Sequence, residues 1–266
     1  MASDKGGIND TDAMNGVPTK GICPEGIIMS TYDLTPLLAR LEGLRDEKYA
    51  AFSAGLVPGL DGRALGVRMP ALRGIAREIV RSEGWRDFIE ASRTRTLYEL
   101  RMLHAMVLGG ARCPVAEKTA LTDAFLPMVD NWAVCDALCS SFKPKKSELD
   151  PLFPFVCACA ESDAEFRVRF GLVMMMDYYR ESPYIERVMA DYRGFRHEGY
   201  YARMGAAWGL ATLWLFAREE ALAILRDGLW DDFTHHRAIQ KLRESYRVSD
   251  ADKALALSLK RRKGKS

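Results

Sequence analysis

No P-loop, no GxGxxG opening a helix after a strand, no GxSxG elbow and no HExxH pair occurs in the sequence. Those absences disfavour nucleotide hydrolysis, dinucleotide chemistry and serine hydrolysis, each of which needs its loop or elbow to seat a phosphate or expose a nucleophile. Histidine is scarce, at four residues, and there is no CxxC pair. The adjacent His235 and His236 lack the i, i+4 spacing of a helical metal site, and Cys135 and Cys139, which have it, meet no second ligand pair. No metal and no other cofactor is expected. No apolar run approaches the roughly 20 residues of a membrane span. The stretch from Phe170 to Met176 is short and is followed by Asp177 and Arg180. Alternating strand patterns are missing too, and the net charge is only +2.

What is present is ordinary for a globular chain: 48% hydrophobic and 28% charged residues over 266 positions. That length suits one large domain or one continuous array of small units. The six cysteines are spread through apolar helical patterns, with no signal-peptide pattern ahead of them, so they are expected to be reduced and the protein cytoplasmic. Residues 1–29, rich in Gly, Asp, Asn and Thr, are expected to be a disordered extension, with Met29 a candidate biological start. Residues 30–262 are expected to form one domain, and 263–266 a basic tail. From His235 to Ser266 the chain carries ten Lys and Arg against Glu244, Asp250 and Asp252, a net +7, while the preceding residues net −5.

Apolar residues recur at helical spacing almost throughout, as in Leu37, Leu38, Leu41 and Leu44, or Leu72, Ile75, Ala76 and Ile79. Pro70, Pro114, Pro144, Pro151 and Ser182-Pro183 cut this pattern into segments of roughly 10 to 18 residues. Short helices in succession predict an all-α chain of helix-turn-helix units. Repeated about every 35 to 45 residues, such units fit an α-solenoid of HEAT type, because each hairpin buries its apolar stripe only against its neighbours. A globular helical bundle is the alternative.

Against this apolar background a few residues stand out. Trp132 and Asp136 are four apart, which on a helix places both on one face. A carboxylate beside an indole in an otherwise buried segment is costly to desolvate without a partner. The plain alternative is a core Trp and an Asp that caps or bridges a neighbouring helix. Arg167 and Arg169 point about 200° apart on a helix, so one must look inward, to a phosphate or to a carboxylate such as Asp136. Trp208 follows the small residues Gly205, Ala206 and Ala207, which leave room beside its indole, although a Trp at helical spacing is more often core. Thr234 reads as an N-cap ahead of His235, His236, Arg237 and Lys241, and a helix N-terminus with cationic neighbours is a phosphate seat. Lys143, Lys145 and Lys146 follow directly after the Trp132/Asp136 segment.

The colinear set Trp132-x-x-x-Asp136, Arg169 before a long apolar helix, and Trp208 after two aromatics resembles the AlkD-type DNA alkylation repair proteins. So do Gly66-Val67-Arg68-Met69-Pro70-x-Leu72-Arg73 near the start and Lys241-x-x-x-Ser245-Tyr246-Arg247 near the end. The resemblance spans about residues 33 to 262. It departs from the family pattern at Asn131, at Phe166 and at Met69, as a divergent branch would. The resemblance implies a right-handed solenoid of HEAT-like antiparallel helix pairs with a concave, basic face that cradles duplex DNA. It implies a glycosylase that removes N3- and N7-alkylated purines without flipping the base. Asp136 would be the catalytic carboxylate, Trp132 and Trp208 would contact the nucleotide, and Arg169 would help hold the DNA. Phosphate contacts are expected from Lys143, Lys145, Lys146, Arg203, His236, Arg237 and Lys241, in a monomer. A non-catalytic binder of distorted or branched DNA and a scaffold for a protein partner remain the alternative readings.

Overall fold

The computed structural model describes residues 32–60 and 62–261. The expectations for residues 1–29, for Met29 as a start, for Cys23 and for the tail 263–266 lie outside the described residues. Those described residues are all-helical, with fourteen α-helices, one short 3-10 turn and no strand. The helices are α1 (Thr35–Glu42), α2 (Glu47–Leu56), α3 (Met69–Arg81), α4 (Trp85–Ser92), α5 (Tyr98–Gly110), α6 (Val115–Phe125) and α7 (Trp132–Phe142). They continue as α8 (Lys146–Ala160), α9 (Glu165–Tyr178), α10 (Ile185–Gly194), α11 (Tyr200–Leu213), α12 (Arg218–Arg226), α13 (Asp232–Glu244) and α14 (Asp250–Ser258).

The odd-numbered helices from α3 to α13 pack each against the next, forming one continuous layer. They begin at residues 69, 98, 132, 165, 200 and 232, so a unit recurs about every 29 to 35 residues, shorter than expected because the connections between helices are brief. Within the layer they run parallel. Cys135 Sγ lies 3.8 Å from the Phe166 carbonyl and, one turn on, Cys139 Sγ lies 3.8 Å from that of Phe170. The even-numbered helices form a second layer, with α4 against α5, α8 against α9, α12 against α11 and α14 against α13. This is the helical-repeat solenoid. A helix in such a layer has neighbours on several sides, which is why α9 is buried continuously from Val168 to Met176.

Close approach of the two layers depends on Gly171. A Cβ there would lie 2.4 Å from the Ala160 backbone nitrogen and 2.9 Å from the Val156 carbonyl oxygen. Backbone of α8 cannot yield as a side-chain tip can. Gly171→Ala is therefore expected to destabilise the protein by about 1–3 kcal/mol, read as a lower urea midpoint, and an unchanged midpoint would contradict this packing.

One boundary signal was misleading. Pro151 does not end a helix: it lies inside α8, as does Pro154. Both rings sit on the exposed side, where the carbonyls left without an amide donor are hydrated, so the break costs less than in a core helix. The five cysteines among the described residues are free.

Candidate functional site

Helix α7 starts where it does because Asn131 caps it. Its Oδ1 accepts from the Val134 amide at 3.0 Å, and its Nδ2 donates to Asp130 at 2.8 Å. The departure at Asn131 is thus a helix-capping choice, and it sets Trp132 at the first helical position. Trp132 is partly exposed, and its Nε1 donates 3.2 Å to the carbonyl of Leu56, the last residue of α2. One turn on, Asp136 shares its face.

Asp136 is paired. Arg169 Nε and Nη2 donate to its two carboxylate oxygens at 2.9 and 2.8 Å, a bidentate fork between α7 and α9. The third arm, Nη1, donates 3.0 Å to the Tyr201 carbonyl on α11. Arg169 is therefore the inward-facing arginine; Arg167 turns outward to Asp123. The expectation that Arg169 itself holds DNA needs correction: its side chain is 7% exposed and its donors are committed, whereas the Asp136 side chain remains 21% exposed. Arg169 positions the carboxylate and is not an open phosphate seat. Burial alone would weaken the guanidinium's hold on its proton, but the adjoining Asp136 charge and hydrogen bonds raise its pKa above the ordinary value.

Trp208 reaches this neighbourhood along α11. A Cβ on Gly205 would touch Arg169 Cγ at 3.4 Å, so Arg169 lies along the stripe that carries Tyr201, Gly205 and then Trp208, which is 37% exposed. Small residues here leave room for the arginine, not directly for a ligand. Phe166 stacks on Tyr201 with ring centroids 5.2 Å apart, closing the same gap between α9 and α11 from its N-terminal end.

A second carboxyl shares the setting. Asp177, near the end of α9, is pushed up to about 6 by burial and then by the Asp136 charge, with Arg180 pulling the other way. Nothing in the local sequence distinguishes it from a solvated helix-end Asp. Because its native pKa lies above its unfolded value, the native state binds more protons between about pH 4 and 6, and stability falls as pH rises through that window. Asp177→Asn should thus stabilise the protein at pH 7.5, by about 1–2 kcal/mol after allowance for its partial exposure. Below about pH 4 the gain should vanish, since both states are then protonated. Urea melts at the two pH values test this, and equal shifts at both would refute it.

The cations divide sharply. On the C-terminal helices the expected phosphate ligands have local partners. Lys241 Nζ lies 2.9 Å from Glu244, Arg237 donates to Gln240 at 2.8 Å, and His236 lies 3.1 Å from the Arg261 carbonyl. Arg203 sits 3.6 Å from Asp231 and over the Phe233 ring. The N-cap of α13 is Asp231, not Thr234, and its carboxylate accepts from the Phe233 and Thr234 amides. The expected phosphate seat is already filled by an anion, and Asp232 adds another. Of these expected ligands, Lys241 and Arg203 face carboxylates, whereas Arg237 meets only the neutral Gln240 and His236 a backbone carbonyl.

Unpaired cations gather elsewhere, around an open groove of about 1470 Å³ between the length of α3 and the C-terminal parts of α5 and α7. Arg73, Arg77 and Arg81 line it from one stripe of α3, Arg112 from the end of α5, Lys118 from α6, Lys143 from the end of α7 and Lys145 from the start of α8; Glu148 is the single carboxylate in the lining. The seven cations form no ion pair among the described residues. A volume above the roughly 300–1,000 Å³ of small-molecule pockets suits a polymer better. Lys143 is placed by its neighbour: Pro144 disfavours the α conformation before it, and Lys143 adopts φ 40°, ending α7. Lys146 is exposed just outside. The stripe Trp132, Asp136, Ser140, Lys143 leads from the ion pair into the groove. Arg73, Arg77 and Arg81 were legible as an i, i+4, i+8 row, but net charge by segment hid them.

The sequence model for the DNA alkylation repair enzyme family matches residues 37–193. That stretch holds Trp132, Asp136, Arg169 and every groove cation; Trp208 and the C-terminal helices lie beyond it. No curated protein and no solved structure matches.

Proposed function

The chain belongs to the DNA alkylation repair enzyme family, and from that premise we propose that it is a DNA glycosylase acting on cationic N3- and N7-alkylated purines in duplex DNA, as the first step of base excision repair. A role in alkylation repair follows from the family; the reaction and substrates are our reading. What carries it is a partly exposed carboxylate fixed bidentately by a buried arginine, on a stripe that opens into a groove of unpaired cations.

Alkylation at N3 or N7 leaves the purine cationic and already a good leaving group, so little general-acid help is needed. As the glycosidic bond breaks, positive charge develops on the sugar. Asp136, held by Arg169 at a set angle, stabilises that charge without reorganising, and its free lone pairs can hold the attacking water. Trp132 and Trp208 supply indole faces that attract the cationic base. The arginine row on α3 and Lys143 and Lys145 grip backbone phosphates, so the base is reached where it lies, without a pocket to receive it.

Incubating the purified protein with methylated duplex DNA should release 7-methylguanine or 3-methyladenine. A wild-type protein that binds the duplex but releases no base would replace this reading with that of a non-catalytic DNA binder.

A further inference from the structure

The groove holds one cation unlike the rest. Lys118 is half-buried on α6, with its Nζ donating 2.8 Å to the Gly109 carbonyl and lying 5.0 Å from the Phe142 ring centroid. It faces no carboxylate at ion-pair distance, whereas Lys241 and Lys253 each do. Its holders are a carbonyl and a ring that orient the amine end, and neither carries the full counter-charge that would pin it as an ammonium. Arg112, Lys143 and Lys145 line the same groove, and Cys113 and Glu148 lie near enough to act on the charge of Lys118.

We propose that Lys118 is an amine nucleophile for abasic deoxyribose, giving the protein a strand-cleaving lyase activity in the same groove. An oriented amine among phosphate-binding cations is the arrangement such chemistry requires, because the aldehyde of a ring-opened abasic sugar is always flanked by two phosphates. Burial lowers the amine's pKa, which increases the fraction present as free base. Nζ adds to the C1′ aldehyde carbon, and water leaves to give an iminium. A C2′ proton then passes to Glu148, the C3′–O bond breaks, and its electrons leave with the 3′ phosphate. Water finally hydrolyses the unsaturated imine and returns the amine. No oxidant or reductant is consumed. The inference draws on the proposed glycosylase reading only for the origin of the abasic sugar.

The test uses the full chain and a duplex oligonucleotide with one preformed abasic site, with and without sodium borohydride, which reduces an imine to a stable amine. Expected are a borohydride-dependent protein–DNA adduct, an adducted peptide that maps to Lys118, and nicking without borohydride. Lys118→Arg, checked for a native melt, should lower trapping and nicking roughly ten-fold or more, because a guanidinium forms no imine at neutral pH. Absence of an adduct from the wild type, or an adduct that maps to Lys143 or Lys145, overturns the proposal. Mapping the wild-type adduct needs no variant, so a misfolded Lys118→Arg leaves the test intact. Since the abasic site is supplied, a negative result here leaves base excision standing, and failed excision leaves this result standing.

Discussion

Asp136→Asn should reduce 7-methylguanine release by about 100-fold or more, the scale expected when a charge-stabilising group is removed from a reacting centre. The same substitution disturbs the fold, because it leaves the Arg169 charge buried and without its counter-ion. Removing one partner of a buried pair costs about 3–5 kcal/mol, and Asn, which still accepts one hydrogen bond, should fall at or below the lower end. Loss of release alone therefore does not separate chemistry from folding. The double variant Asp136→Leu/Arg169→Met does: replacing both charges by apolar groups of similar size should recover most of the stability, since neither charge is then stranded, while release stays at the level of the single variant. Urea melts beside chromatographic quantification of free base measure the two effects. Release within about three-fold of wild type from a well-folded double variant would remove Asp136 from the mechanism.

Replacing Arg73, Arg77 and Arg81 together by Gln should weaken duplex binding about 100-fold at moderate salt. It should also flatten the dependence of log affinity on log salt, by about 0.9 for each phosphate no longer neutralised. The three side chains are exposed on one stripe of α3 and have no ion-pair partner among the described residues, so the folded state loses little with them. Arg203→Gln/Lys241→Gln should change affinity by less than about three-fold, because those groups already face Asp231 and Glu244. Titrations at several salt concentrations with a fluorescent duplex distinguish the two sets. A large loss from the C-terminal pair and none from the α3 row would place the DNA on the other half of the layer.

The two sets show how charge misleads when read along the chain. The stretch from His235 onward is strongly basic by count, yet Lys241, Lys253 and Arg261 meet Glu244, Asp250 and Asp232 at ion-pair distance. The acidic remainder contains the α3 row, whose carboxylate neighbour Glu78 points away to Arg40 on α1. A net charge sums residues; a phosphate responds only to those not already neutralised.

By itself the sequence determined the helical class, the division into short helices and the Trp132–Asp136 face, because all three follow from a period of 3.6 residues acting within one segment. The Asn131 cap that starts α7 is as local, yet the sequence offered that residue only as a departure from the family pattern. The sequence also narrowed Arg167 and Arg169 to one inward residue. Only the tertiary structure decided which one, and what it meets, since Asp136 and Tyr201 come to Arg169 from helices 33 and 32 residues away. The same holds for the raised Asp177 carboxyl and for the unpaired arginines of α3. Burial and pairing depend on which helices stack beside which, and that stacking is set by side-chain shapes across a layer, not by the order of residues within any one helix.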